Sequence, residues 1–137
     1  MEEIKERAAK VIEEYNLKKH VRGTRDCNLM ALKVFDPKAY EAMYQTYSTI
    51  KGGVKASLLV GGVRSMKEYL IKKEFEEIPK GFEAPLDVIV FDDKHDVYLC
   101  LGRLWFGVIT GDVFGMFEPD KEGHTYRVFR RRIKQWV

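Results

Sequence analysis

The spacing of apolar residues divides the chain into a helical first half and a strand-rich second half. From residue 2 to about residue 19, apolar side chains recur every three or four residues, while Glu and Lys fill the other positions. This period is typical of an amphipathic helix with one buried stripe. Residues 20–26 have no period and contain a glycine, so we predict a loop. The stripe consists of Ile4, Ala8, Val11, Ile12 and Tyr15.

Residues 28–60 predict a strand, a helix and a second strand. Residues 28–35 form a nearly continuous apolar run of strand length. Asp36 and Pro37 then supply a capping carboxylate and a residue suited to the first helical position, and Gly52 with Gly53 is predicted to end that helix. Residues 54–60 are a short apolar run between glycine pairs, which indicates a buried strand. The helix stripe contains Tyr40, Met43, Tyr44, Tyr47 and Ile50, which we expect in the core, with an aromatic ligand pocket as the alternative.

A capping box opens the last predicted helix. Ser65 and Glu68 have the spacing at which each side chain bonds the other residue's backbone N–H. We predict a helix from this point to about residue 77, before Pro79.

After Pro85 the pattern changes to short apolar segments separated by turn residues, which predicts an antiparallel meander. The predicted strands are residues 87–91, 97–101, 104–110 and 113–117, and residues 102–103 and 111–112 form tight turns. Residues 125–137 fit a helix and a strand about equally well. The fold class is therefore α+β, with helices on one face of a mixed, mainly antiparallel sheet, and residues 1–137 are expected to form a single domain.

Composition places the chain among ordered, water-soluble proteins. Of its 137 residues, 45% are hydrophobic and 33% are charged. No apolar run approaches the ~18 residues of a membrane span, and the N-terminus is acidic where a secretory signal would be basic. We therefore expect a cytoplasmic protein without membrane contact. Asn and Gln are scarce while Lys and Glu abound, which favours a hyperthermophilic source, an archaeon or one of its viruses.

The two cysteines, Cys27 and Cys100, are far apart in sequence and have no CxxC spacing. Two buried thiols are expected, and a disulfide between them is the alternative. A zinc site built on thiolates is excluded. Neither cysteine has a histidine near it in sequence, although a spatial neighbour stays open. No sequence feature calls for a cofactor.

The C-terminal segment is the first candidate site. Its arginines can bind phosphates and its aromatic residues can stack on unpaired bases, which predicts nucleic-acid binding. The alternative is a solvated face whose charges pair with glutamates of residues 74–83. The predicted contact residues are Arg127, Arg130, Arg131, Arg132, Lys134 and Trp136.

Two further candidates are weaker. Gly61, Gly62, Arg64 and Ser65 join a predicted strand to a capped helix, and the free N–H groups of a helix start can bind an anion. A tight turn is the alternative interpretation of these residues.

The last candidate is a metal site at two turns on the same edge of the meander. Carboxylates and an imidazole are suitable ligands for a divalent metal or an acid/base pair. Soluble turn formers explain the same residues without a function. The residues are Asp92, Asp93, His95 and Asp112.

Three functions follow from these candidates. The leading hypothesis is a small nucleic-acid-binding accessory protein that uses the C-terminal arginines. The second is a non-catalytic protein-interaction module, either a homo-oligomer or a subunit of a larger assembly. The third is a metal-dependent hydrolase or nuclease.

Overall fold

The computed structural model describes residues 2–92, 96–122 and 125–132, and within them the chain forms five helices followed by six strands. The helices are α1 (Glu2–Tyr15), α2 (Cys27–Phe35), α3 (Pro37–Met43), α4 (Ile50–Gly61) and α5 (Met66–Lys72). The strands are β1 (Glu76–Ile78), β2 (Val88–Phe91), β3 (Val97–Cys100), β4 (Trp105–Ile109), β5 (Val113–Phe117) and β6 (Tyr126–Arg130).

The first half of the chain is more helical than its sequence predicts. Residues 28–35 were predicted as a strand, but they belong to α2, which starts after the N-cap residue Asp26. The prediction is wrong because α2 is buried on nearly all sides, so its apolar residues show no period. The first helix also ends earlier than predicted, at Tyr15, and residues 17–20 instead follow the edge of β5, where Leu17 N–H donates to the Phe114 carbonyl at 2.8 Å.

The glycines at 52 and 53 do not end a helix, and residues 54–60 are not a strand. The predicted helix stops at Met43, and both glycines lie in the first turn of α4. Thr49 caps α4 by accepting a hydrogen bond from Gly52 N–H at 2.9 Å. The aromatic ring of Tyr47 packs against Gly53, where a Cβ would lie 3.2 Å from the ring.

The predicted capping box forms, but its helix is shorter than expected. Ser65 caps α5, which ends at Lys72 rather than near residue 77. The residues that follow form β1 instead. This edge strand pairs with β6, with Ile78 opposite Val128.

The predicted meander is confirmed. The six strands form one sheet in the order β1-β6-β2-β3-β4-β5, and every pair is antiparallel. The ambiguous C-terminal segment contains β6, which lies between β1 and β2, while residues 133–137 lie outside the described part of the chain. The α+β fold class is therefore confirmed, with a sheet that is antiparallel throughout rather than mixed.

The helices pack on one face of this sheet. Val88 and Val90 of β2 contact helix residues, whereas Ile89 and Phe91 point to the opposite face, as the pleat of a strand requires. The opposite face has its own cluster, drawn from strand residues and rich in aromatic rings. Its buried members are Ile78, Ile89, Phe91, Tyr98, Cys100, Trp105, Tyr126 and Val128.

Two other expectations bear on the described residues. Cys27 and Cys100 are both buried and are not joined by a disulfide, as the sequence favours. None of the helices that the structure describes is long and apolar enough to cross a bilayer.

Candidate functional site

Helix α4 is exposed over most of its surface although its sequence is mainly apolar. Ala56 is its one buried residue within the described chain. Ala56 joins the helix to the core, and hydrogen bonds fix both of its ends. Thr49 caps its start, and its last carbonyl, that of Gly61, accepts a hydrogen bond from Lys72 Nζ at 2.6 Å. A helix of this kind leaves its apolar side chains in water.

Four large apolar side chains of α4 are exposed, and we call them the α4 surface. Leu59 is 83% exposed, more than any other large apolar side chain in the described residues. Soluble proteins expose single apolar residues routinely, but several on one short helix are typical of a contact surface. The α4 surface consists of Ile50, Leu58, Leu59 and Val60.

A cleft, which we call the helical cleft, lies beside α4. Its volume is about 120 Å³, and helices α2 to α5 contribute to its walls. Ile50 and Val60 of the α4 surface also line the cleft, whereas Leu58 and Leu59 do not. The remaining apolar wall is formed by residues that include Leu32, Met43, Val63 and Met66.

The polar end of the cleft is built around the buried carboxylate of Asp26. It accepts hydrogen bonds from Gly23 N–H and Leu29 N–H, each at 2.8 Å, and from the Tyr47 hydroxyl at 2.5 Å. Burial raises the pKa of Tyr47 and the negative charge of Asp26 raises it further, so the hydroxyl stays protonated and donates. Asp26 therefore organises the loop, the start of α2 and the tyrosine, and its negative charge is fully hydrogen-bonded.

The rim of the cleft is basic. Arg22 and Arg64 line it, and neither guanidinium forms an ion pair or hydrogen bond with any residue that the structure describes. Lys51 and Lys55 are exposed on α4 itself. Residues 37–73, which form most of this face, contain seven Lys or Arg and two Glu. The surface around the cleft therefore carries positive charge that has no ion-pair partner among the described residues.

Cys27 does not line the cleft, although its chain neighbours Asp26 and Asn28 do, and its side chain packs in the core with Val88, Val90 and Val97. The thiol is at the first position of α2, where backbone N–H groups and the helix dipole favour a thiolate. Burial, together with the charge of Asp26, nevertheless raises its pKa to about 12, against a hydrogen bond with the Val97 backbone that lowers it. The thiol is therefore protonated at neutral pH unless a base takes its proton.

The predicted nucleic-acid residues lie at the end of β6, and two of them form ion pairs. Arg130 bonds both carboxylate oxygens of Asp87, and Arg127 bonds Asp92 at 3.2 Å and Glu77 at 3.5 Å. The other two described arginines, Arg131 and Arg132, are exposed and have no ion pair within the described residues, while Lys134 and Trp136 lie outside them.

The predicted anion-binding residues form a helix-to-helix turn. Gly61 ends α4, and Gly62 is its left-handed C-cap, so a helix rather than a strand precedes them. Arg64 N–H donates to the Glu68 carboxylate at 3.0 Å, and Ser65 Oγ accepts from Glu68 N–H at 3.2 Å. The Glu68 carboxylate thus occupies the start of α5, which opposes an anion there. Anion binding stays a prediction.

The predicted metal residues are only partly described. Asp92 bonds Arg127, and Asp112 lies in the β4–β5 turn with its carbonyl accepting from His20 N–H at 2.7 Å. Both residues lie at the same end of the strands. Asp92 follows β2 and Asp112 precedes β5, and β3 and β4 lie between these two strands. The separation of β2 and β5 is therefore roughly 14 Å at the usual spacing of neighbouring strands. No group of three potential ligands comes together among the described residues, and Asp93 and His95 lie outside them.

The sequence analysis missed the α4 surface and the helical cleft. Residues 54–60 resembled a buried strand because three apolar residues stand in a row between glycine pairs. One signal favoured a helix instead: Thr49 as an N-cap. Tyr47, noted as a possible ligand-pocket residue, does line the cleft.

Comparison with known proteins identifies no relative. No protein-family model matches the chain, and neither a curated protein nor a solved structure is significantly similar to it.

Proposed function

We propose that this protein is a protein-interaction module that binds a partner through the α4 surface and the helical cleft. The observation that carries the proposal is the exposure of Ile50, Leu58, Leu59 and Val60 on one short helix beside a cleft. Burying an apolar side chain of this size at an interface is worth about 1.5–3 kcal/mol, so two or three such contacts support specific binding.

The charge around the cleft favours a partner segment that combines apolar and acidic side chains. Arg22 and Arg64 lie on the rim without a neutralising group in the described chain, and Lys51 and Lys55 flank them on α4. A second copy of the chain would bring like charges together across the same surface. We therefore commit to a different protein as the partner, and self-association is one outcome of the test.

Nucleic-acid binding through the C-terminal arginines stays an untested prediction. The ion pairs of Arg127 and Arg130 leave less unneutralised charge at the end of β6 than the sequence implies. A cytoplasmic location and a hyperthermophilic archaeal or viral source likewise stay proposals that rest on composition.

The test uses a synthetic amphipathic peptide with leucines on one helical face and glutamates beside them. We expect it to bind the full chain, and a matched peptide with lysines in place of the glutamates to bind more weakly. Leu59→Gln should lower the affinity for the acidic peptide, because a polar side chain replaces an exposed apolar contact while keeping a good helix former.

Leu17→Gln is the matched control, since Leu17 is 75% exposed beside β5 and lies outside the α4 surface. It should leave peptide binding unchanged. Equal binding of both peptides, or equal loss in both variants, would contradict the proposal. A wild-type dimer that Leu59→Gln dissociates would assign the α4 surface to self-association instead.

A further inference from the structure

A second apolar hollow, which we call the α1 groove, lies between α1 and the segment that leads into β2. Its volume is about 420 Å³, which is within the range of small-molecule binding sites. The short side chains of Ala8 and Ala9 leave room along α1. Among the described residues, the groove and the helical cleft have no lining residue in common.

The floor of the α1 groove is apolar and only half-buried. Four side chains from different parts of the chain converge on it, and each packs against the core while it also lines the groove. A ligand that covers them gains the free energy of removing apolar surface from water. The four floor residues are Ile12, Phe35, Leu86 and Leu101.

The backbone that presents Leu86 to the groove is strained. Leu86 has φ of +75°, in the left-handed region that a branched side chain rarely adopts. Its N–H donates to the Cys100 carbonyl at 2.7 Å, which fixes this conformation. Because strained residues of this kind are concentrated at ligand sites, the conformation of Leu86 supports a binding role for the groove.

The polar part of the groove is basic. Lys5 and Arg131 line it, both are exposed, and neither forms an ion pair or hydrogen bond with any residue that the structure describes. Asp87 is the one carboxylate among the described lining residues, and Arg130 neutralises it through hydrogen bonds of 2.9 Å. Two unneutralised cations beside an apolar floor are complementary to a ligand with an anionic head and an apolar tail.

We propose that the α1 groove binds a free single-chain carboxylate of the medium-chain fatty acid class. The alkyl chain covers the apolar floor, and the carboxylate pairs with the cations of Lys5 and Arg131. A cavity of roughly 150 Å³ holds the six carbons of benzene, so about 420 Å³ accommodates a chain of roughly ten to twelve carbons. The inference is independent of the proposed function, which uses the helical cleft.

Titration calorimetry of the full chain with decanoate and with decanol tests this proposal. We expect one decanoate to bind per chain, and each methylene added between hexanoate and decanoate to raise the affinity by up to about fourfold. Lys5→Gln combined with Arg131→Gln should weaken decanoate binding by about fivefold. The same double variant should bind decanol as the wild type does, because decanol carries no charge.

Lys10→Gln combined with Arg132→Gln is the matched control, since both residues are exposed and neither lines the groove. It should leave both affinities unchanged. Ala9→Gln tests the apolar part of the site, because it places a longer polar side chain at an exposed position of the groove wall. It should weaken the binding of both ligands without altering the core.

Three results would overturn the proposal. The first is no binding of decanoate to the wild type, and the second is an equal loss of decanoate affinity in the two double variants. The third is a loss of decanoate binding in Arg22→Gln combined with Arg64→Gln, which would place the ligand at the helical cleft. Failure of the acidic peptide to bind the helical cleft would leave the α1 groove proposal intact.

Discussion

Arg130 holds the carboxylate of Asp87 in two parallel hydrogen bonds, from Nε to Oδ1 and from Nη2 to Oδ2, each 2.9 Å long. The Asp87 side chain is 2% exposed and that of Arg130 is 40% exposed. Asp87 also accepts a hydrogen bond from Ala84 N–H at 2.9 Å. The pair therefore joins the end of β6 to the residue before β2, and the charge of Arg130 serves the fold.

Arg130→Ala is expected to lower the free energy of unfolding by about 2 kcal/mol. The substitution leaves the buried carboxylate of Asp87 with one hydrogen-bond donor, Ala84 N–H. Because Arg130 is partly exposed, the loss of stability stays below the 3–5 kcal/mol that is typical of fully buried ion pairs. Urea unfolding measures the change. Arg132→Ala, at an exposed position without an ion pair in the described chain, should change stability by less than about 0.5 kcal/mol. Equal effects of the two substitutions would contradict the structural role.

The strands could be predicted from sequence because turn residues and alternating side chains act locally. Gly111 and Asp112 both adopt positive φ in the β4–β5 turn, and the sequence indicates a tight turn there. The strand predicted at residues 113–117 has the observed bounds of β5. In these segments the local pattern and the final packing agree, so no long-range information is needed.

The helical half could not be predicted as well, because tertiary packing overrides its local pattern. Residues 28–35 form a helix buried by α1, α3 and β3, and such a helix has no polar face to reveal its period. At Gly53 the local signal for a helix end is overridden, because Gly53 packs closely against the Tyr47 ring, where a Cβ would lie 3.2 Å from the ring.

The candidate site at β6 shows why charge clusters are poor predictors of binding. Arg127 and Arg130 are close in sequence to other arginines, but their carboxylate partners lie 35 to 50 residues away. Pairing across neighbouring strands depends on strand order, which one sequence does not reveal. The α4 surface was missed for the complementary reason: its burial was assumed from its hydrophobicity.

Gly23→Ala is expected to destabilise the protein by about 3 kcal/mol or more. Gly23 has φ of +85°, and a Cβ there would lie 1.7 Å from the Tyr47 carbonyl oxygen, so the backbone beside the helical cleft must move. Gly81→Ala is the matched control, because Gly81 has φ of +100° but no atom within 4 Å of its Cβ position. It should cost about 1–2 kcal/mol, from backbone strain alone. Similar losses in thermal unfolding would show that the contact with Tyr47 is unimportant.

Stability should fall in acid partly through Glu83. Burial tends to raise the pKa of Glu83, but hydrogen bonds from Gly81 N–H and Lys121 outweigh it and hold the pKa below its usual value. A carboxylate whose pKa is lower in the folded state stabilises the fold above its unfolded pKa of about 4.3 and loses that contribution as pH falls through the folded pKa. Glu83→Gln should therefore flatten the acid limb of unfolding free energy against pH. An unchanged slope would contradict this.

Arg131 and Arg132 decide whether the end of β6 binds nucleic acid. If both contact phosphates, replacing both with Ala reduces the slope of log affinity against log salt by roughly 1.4 for single-stranded DNA. Under the proposed protein-binding function, we expect the wild type and the double variant to bind such DNA equally weakly. Arg103→Ala, at a remote position that is 77% exposed, controls for the loss of positive charge. A reduced slope in the double variant alone would restore the nucleic-acid hypothesis.

The two arginines at the cleft rim should account for the charge preference of the proposed partner. Replacing Arg22 and Arg64 with Gln is expected to weaken binding of the acidic amphipathic peptide by about 1 kcal/mol, or about fivefold, because exposed charge pairs contribute a few tenths to 1 kcal/mol each. The affinity of the same double variant should depend less on salt concentration, because salt weakens the contribution of the two arginine charges in the wild type and the variant lacks those charges. Titration calorimetry at two salt concentrations measures both effects.

The control is Lys18→Gln combined with Arg103→Gln, which removes equal charge from exposed positions away from the cleft. It should change neither the affinity nor its dependence on salt. Equal weakening in both double variants would mean that the peptide responds to net charge rather than to the helical cleft.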